Sequence, residues 1–219
     1  MAVSTADIKV LRDRTGAGML DCKKALEENN GDVEGAVDWL RAKGIAKAAK
    51  KAARQATEGV VESYIHGGGR IGVLLEVNCE TDFAARSEPF QRLVHDIAMH
   101  IAASNPEFVS KDEVGQDAYE REKAIQLARV IEEGKPPAVA ARIVDGRMTK
   151  WYEEVCLLEQ KFVKDEDRTV GQVLTEAIAT IGENIRVRRF ARYALGEGLE
   201  KKSTDFAAEV AAQMAGHGA

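Results

Sequence analysis

Three consecutive glycines at 67–69 separate two runs rich in β-branched residues, 60–66 and 71–79. Strands on either side of a glycine cluster predict an antiparallel β-hairpin, because glycine takes the positive φ values of a tight loop without steric cost. The same stretch, Gly67-Gly-Gly-Arg-Ile-Gly72, also spells G-x-G-x-x-G. A dinucleotide fingerprint needs a helix to open directly after the glycines, so that its N-terminus meets the pyrophosphate. Here a second strand follows instead. The chain is therefore expected to have no nucleotide site of its own.

Around the hairpin the pattern is helical. Ser4 and Asp7 form a capping pattern ahead of Ile8, Val10 and Leu11, and a break at 16–18 precedes a second helix from Met19 to Glu28. A turn at 29–32 leads to a third helix carrying Val33, Ala36, Val37 and Leu40, for which Gly44 is the expected stop. This predicts a compact three-helix unit over 1–45. In the first turn of the second helix, Met19 and Leu20 read as core, with a role in docking a partner as the alternative. Residues 46–57 follow as a helical linker. Lys47, Lys50, Lys51 and Arg54 share one of its faces, and alanine fills the rest. A solvated linker is expected there, with too little apolar surface to pack tightly; contact with RNA is the alternative.

The main unit is expected over 58–196. After the hairpin, Ser87 and Pro89 open a helix whose apolar face is Phe90, Leu93, Val94, Ile97, Ala98 and Ile101. Two charged helical arms flank a Gly-Pro turn at 134–137, which predicts an antiparallel helical hairpin over about 117–160. Val144, Met148, Trp151, Val155, Leu158 and Phe162 form a heptad seam on its second arm, although the stretch toward Val163 can also be read as extended. Val170 to Ile181 reads as an amphipathic helix. The alternation over 185–193 reads as a strand with Arg186, Arg188 and Arg192 on one face. A short helix, Phe206 to Met214, lies in a C-terminal module at 197–219. Hairpin strands among separate helices make the fold class α+β.

The net charge of -5 argues against a general nucleic-acid binder, and no direct DNA contact is expected. Cys22, Cys79 and Cys156 lack metal or disulfide spacing, and His66, His95, His100 and His217 lack ligand spacing. Neither a metal nor a cofactor is expected. No Ser-His-Asp or Cys-His arrangement emerges, so nothing specific supports an enzyme. The N-terminus lacks a basic flank followed by an apolar core, and no apolar run approaches the roughly 20 residues of a membrane span. A cytoplasmic protein away from membranes is expected.

Between the second strand and the Phe90 helix lies Glu80-Thr-Asp-Phe-Ala-Ala-Arg86. Connections of this kind carry function more often than core does. For Asp82 a local cap and a binding role stand equal, as do burial and exposure for Phe83.

The blocks Leu11-Arg-Asp-Arg-Thr-Gly-Ala-Gly-Met-Leu-Asp-Cys22, Glu76-Val-Asn-Cys-Glu-Thr-Asp-Phe83 and Ile181-Gly-Glu-Asn-Ile185 resemble the bacterial translation elongation factor Ts family, and the resemblance extends over essentially the whole chain. It implies a UBA-like three-helix bundle, a linker helix, a small antiparallel-sheet core with packed helices, a helical-hairpin insertion and a C-terminal helix. It implies guanine nucleotide exchange on the GTPase elongation factor Tu, with no catalytic residue. Thr81, Asp82, Phe83 and Ala84 map to a loop that intrudes beside the partner's magnesium and nucleotide. Arg12, Met19, Leu20 and Lys23 map to contacts with the GTPase domain, Ile181 and Gly182 to a second contact near the nucleotide, and His66 to a contact with another domain. Ala84 replaces a common valine. The single core implies a homodimer engaging two GTPases in a two-plus-two complex. Ala191 stands where an interface disulfide would need cysteine.

Overall fold

The computed structural model describes residues 3–199 and is α+β. It opens with α1 (Thr5–Thr15), α2 (Met19–Glu28) and α3 (Val33–Lys51). The Ser4 hydroxyl accepts the Asp7 N–H at 3.1 Å to start α1, and Asp32 accepts the Glu34 and Gly35 N–H groups to start α3. Ile8, Leu11, Cys22, Ala25, Leu26 and Ala36 enclose a small core between these helices.

The expected stop at Gly44 does not occur: α3 continues through it to Lys51. A side chain at 44 would bring its Cβ within 3.3 Å of the Ala179 Cβ, and Ala48 is buried in the main core. Small residues let α3 lie close against α8 (Val170–Ile181), so Gly44 and Ala48 seat the helix on the main unit, while most of the basic stretch stays exposed as expected of a linker. Some of the lysines along α3 are engaged. Lys43 and Lys47 reach the two carboxylate oxygens of Asp21 at 2.8 and 2.7 Å, and Lys43 first, then Lys47, hold that carboxyl below its usual range. On the basic face itself, Lys47 meets Asp21 and Lys51 meets the Gly182 carbonyl, while Lys50 and Arg54 stay exposed.

Strands β1 (Glu58–His66) and β2 (Ile71–Cys79) pair antiparallel as the expected hairpin, with His66 opposite Ile71. Gly67, Gly68 and Gly69 all have positive φ, and no helix follows them. β5 (Arg186–Ala194) completes the sheet in the order β1-β2-β5. A bulge at Arg188 corrects the expected arginine face: Val77 lies opposite Val187, but Glu76 lies opposite Arg189. The extra residue moves Arg192 to the inner face with Val187 and Phe190, where its Nε donates to the Ala102 carbonyl at 3.2 Å. Arg188 and Arg189 instead meet Glu76, held below its usual range by Arg189 above all.

Val73, Leu75, Val77 and Cys79 face inward against Phe90, Leu93, Val94, Ile97 and Ile101 of α5 (Glu88–Ser104). A four-residue helix, α4 (Asp82–Ala85), joins β2 to α5. The helical hairpin is present as α6 (Gln116–Glu132) and α7 (Pro137–Val155), closed by Val130, Ala140, Val144 and Met148, with Trp151 packed alongside. The heptad seam stops there. Leu158 and Phe162 lie beyond the helix and pack into the main core, and Phe162 belongs to β3 (Lys161–Phe162). β3 pairs with β4 (Asp165–Thr169), whose sequence DEDRT has little strand propensity and was not foreseen.

All three cysteines are free and buried. Among the described residues, no group of three or more His, Cys, Asp or Glu is placed to hold a metal, and no helix is long and apolar enough to cross a membrane. The helix expected at 206–214, and His217, lie outside the described residues.

Candidate partner-binding site

Thr81 caps α4: its Oγ1 accepts the Ala84 N–H at 3.2 Å. The helix is one turn long, so its residues divide sharply between faces. Ala84 and Ala85 are buried in the main core, while Phe83 points away at 81% exposure. An exposed phenylalanine on a helix anchored by two alanines is a fixed apolar projection. Asp82 is outside too, bonded to Arg86 at 2.8 Å in an exposed pair. Beneath the turn, the Cys79 thiol donates to the Thr81 carbonyl at 3.2 Å. Burial pushes that thiol up, and neighbouring Glu183 adds to the shift, so it remains a neutral donor.

The end of α8 lies beside this turn. Gly182 terminates the helix at φ +88°, donating its N–H to the Ile178 carbonyl at 3.0 Å. The next residue, Glu183, reaches across to the Glu80 and Thr81 N–H groups at 3.1 and 3.0 Å and to the Thr81 hydroxyl at 2.6 Å. Asn184, buried at 4% exposure, donates its backbone N–H to Glu80 Oε1 at 2.6 Å and its side-chain amide to the Arg54 carbonyl at 2.7 Å. Lys51 Nζ donates to the Gly182 carbonyl. The structure thus brings Thr81, Asp82 and Phe83 together with Ile181 and Gly182, and ties both to the end of α3. Glu183 and Asn184 had been given no part in the site. The visible signal was their place in the Ile181–Ile185 block.

Met19 and Leu20 are exposed at 58% and 85%, which overturns their reading as core. The buried stripe of α2 is Cys22, Ala25 and Leu26. Leu20 lies instead on the face of Lys23, Lys24 and Glu27, at helical spacing. Lys23 is exposed and paired with Glu27 at 3.7 Å, and Arg12 is exposed on α1. These residues present one accessible apolar pair with cations on the N-terminal helices.

His66 stands apart. It ends β1, opposite Ile71, whereas Cys79 pairs with Glu58 at the other end of the hairpin. At strand rise the two ends are roughly 26 Å apart. The His66 Nδ1 lies 3.0 Å from the Tyr64 hydroxyl, and Tyr64 in turn sets its ring edge-on to His95.

The family model described as elongation factor TS matches residues 44–197. The chain is 62% identical over 212 residues to elongation factor Ts of Desulforamulus reducens, covering 97% of this chain and 98% of that protein. It is 61% identical over 207 residues to elongation factor Ts of Syntrophomonas wolfei, with 94% and 97% covered. Against elongation factor Ts of Geobacter sulfurreducens it is 60% identical over 212 residues, with 97% and 98% covered. Identity of this extent, spread over nearly the whole length, establishes that the chain belongs to the elongation factor Ts family of bacterial translation elongation factors.

Proposed function

We propose that the chain is a guanine nucleotide exchange factor for elongation factor Tu, and that Phe83 is the wedge by which it expels GDP. The observation that carries this reading is the outward Phe83 ring on a turn whose backbone is held from below. An exchange factor needs no catalytic acid, metal or cofactor. It needs only to bind the nucleotide-free GTPase better than the nucleotide-bound form. By linkage it then weakens nucleotide binding by the factor with which nucleotide weakens its own. A ring that finds an apolar cleft only in the opened partner supplies that difference. Displacing the partner's backbone there disorders its magnesium site, and losing the ion removes charge compensation from the phosphates.

In this reading Thr81 and Ala84 hold the wedge, Asp82 bonds the displaced backbone, and Ile181 and Gly182 make a second contact beside it. Arg12, Met19, Leu20 and Lys23 dock the N-terminal helices on the GTPase domain. His66, at the far end of the sheet, touches another domain. Residues 197–219 add a further contact, and the setting is the cytoplasm. The test is to mix the full chain with elongation factor Tu loaded with fluorescent GDP. Release accelerated well beyond the spontaneous rate, with a stable complex on the nucleotide-free GTPase, is expected. Release at the spontaneous rate refutes exchange activity.

We also propose a homodimer forming a two-plus-two complex with the GTPase. The support is the outer face of the sheet, where Val61, Ile65, Leu74 and Tyr193 are all exposed and Ala191 lies opposite Leu74. Contiguous exposed apolar surface of this kind marks an association site. An isologous interface brings both copies of a substituted residue into the same contact. Leu74→Asp is therefore expected to raise the dimer dissociation constant at least about tenfold, since each dimer then carries two unpaired carboxylates at the contact. Sedimentation velocity reads this directly. A monomer at micromolar concentration in the unsubstituted chain would overturn the dimer.

A further inference from the structure

We propose that Glu183 is the positioning residue of the Phe83 turn, setting the wedge through Thr81 without itself touching the partner; this rests on the exchange reading above. Its carboxylate collects three donors from one short segment. Oε2 accepts the N–H groups of Glu80 and Thr81 at 3.1 and 3.0 Å, and Oε1 accepts the Thr81 hydroxyl proton at 2.6 Å. Among the described residues no Lys, Arg or His forms an ion pair with Glu183, so these three bonds are what holds the carboxylate in place.

The hydroxyl contact has a directional consequence. Because Thr81 gives its proton to Glu183, the lone pairs of Oγ1 are turned toward α4, where one accepts the Ala84 N–H at 3.2 Å. A relay runs from Ala84 through Thr81 to Glu183. It fixes the Thr81 rotamer, that rotamer starts α4, and α4 aims Phe83. The anchor itself is well held. Gly182 is tied to Lys51, and Asn184 is bonded to Glu80 and Arg54. The end of α3, which leads back to the N-terminal helices, and the wedge are thus fastened to one turn. Binding energy from the N-terminal contacts is thereby directed into a Phe83 already set at a defined angle, which is the use of a preorganised contact.

Glu183→Gln keeps the size but replaces one acceptor oxygen with an amide donor that faces donors. The experiment is a double-mutant cycle in release of fluorescent GDP from elongation factor Tu, with the full chain over a range reaching saturation. Glu183→Gln is expected to lower the saturating rate about tenfold, the scale of one charge-assisted hydrogen bond. The half-saturating concentration should stay within about twofold, because the docking surfaces are untouched. Phe83→Ala with Glu183→Gln should be no slower than Phe83→Ala alone, because a residue acting through Phe83 has nothing left to position. Additive losses, or a Glu183→Gln rate within about twofold of the unsubstituted chain, overturn the inference while leaving the wedge standing. A Phe83→Ala chain as fast as the unsubstituted one overturns the wedge, and this inference with it. Should Glu183→Gln not fold, Glu183→Asp, one methylene too short to span all three donors, takes its place in the cycle under the same criteria.

Discussion

Phe83→Ala slows GDP release from elongation factor Tu by about 10- to 100-fold at saturating factor, with the isolated chain melting almost where it did. Burying a phenylalanine removes roughly 150–250 Å² from water, worth about 1.5–3 kcal/mol. If that burial is available only in the opened GTPase, its loss falls on the exchange step, at tenfold for each 1.36 kcal/mol, approximately. In the free chain the ring is 81% exposed and contributes little to its own fold, so the stability change should stay within about 0.5 kcal/mol. The two measurements together separate a wedge from a structural residue. Stopped-flow release of fluorescent GDP and a thermal melt suffice. A variant that releases GDP as fast as the unsubstituted chain, with the complex still formed, rules the wedge out.

His100→Ala costs about 3–5 kcal/mol of stability, the upper range for truncating a buried side chain. His100 is fully buried in α5. Its Nδ1 accepts the Val163 N–H at 3.2 Å, which leaves the ring proton on Nε2, facing the Gln160 Oε1 at 2.9 Å. Gln160 in turn donates to the Glu154 carbonyl at 2.6 Å. The imidazole therefore ties α5 to the end of α7 and to the β3–β4 hairpin. Removing it leaves a cavity, strips the buried Gln160 Oε1 of its partner and frees the Val163 N–H. For a chain of this size the melting temperature should fall by about 10 °C.

The same geometry sets a pH dependence. Burial pushes the His100 imidazole below the usual histidine range, and the Gln160 contact opposes this only in part. In the unfolded chain the group titrates near its ordinary value of about 6.5. Between the folded and unfolded values the unfolded state holds more protons, so stability falls as pH is lowered. The contribution is fully present above the unfolded value and is lost progressively down to the folded one. A charged His100 also has two N–H groups, and one of them faces the Val163 donor. Thermal melts from about pH 8 to about pH 5, the window of histidine titration, should show a downward slope that is reduced in His100→Ala. Equal slopes in both chains would contradict the assignment.

The legible parts of the fold are those encoded by short-range pattern. The glycine cluster between β-branched runs specified the hairpin; the structure then shows the register that buries Leu75 and Val77, which a slip by one would expose. The apolar stripes of α5 and α8 specified both helices nearly to the residue. The failures fall where long-range packing overrode local preference. Gly44 reads as a helix stop, but it lets α3 approach Ala179. Arg192 reads as an outward residue until the bulge at Arg188 turns it inward. β4 forms from a charged pentapeptide because its partner β3 is held by Phe162 in the core.

The site divides along the same line. By itself the sequence determined the identity of the elements: a turn bearing Thr81, Asp82 and Phe83, a helix ending at Gly182, and a small helical unit at the N-terminus. These depend on caps, glycines and periodicities that act within a few residues. Only the tertiary structure decided which way the side chains face and what stands beside them. Phe83 is outside because Ala84 and Ala85 are claimed by the core, and Leu20 is outside because Cys22, Ala25 and Leu26 are. Thr81 meets Glu183, 102 residues later, because α8 packs where its last turn ends over the close of β2. Contacts between segments so far apart are set by the packing of whole elements, and no local pattern encodes them.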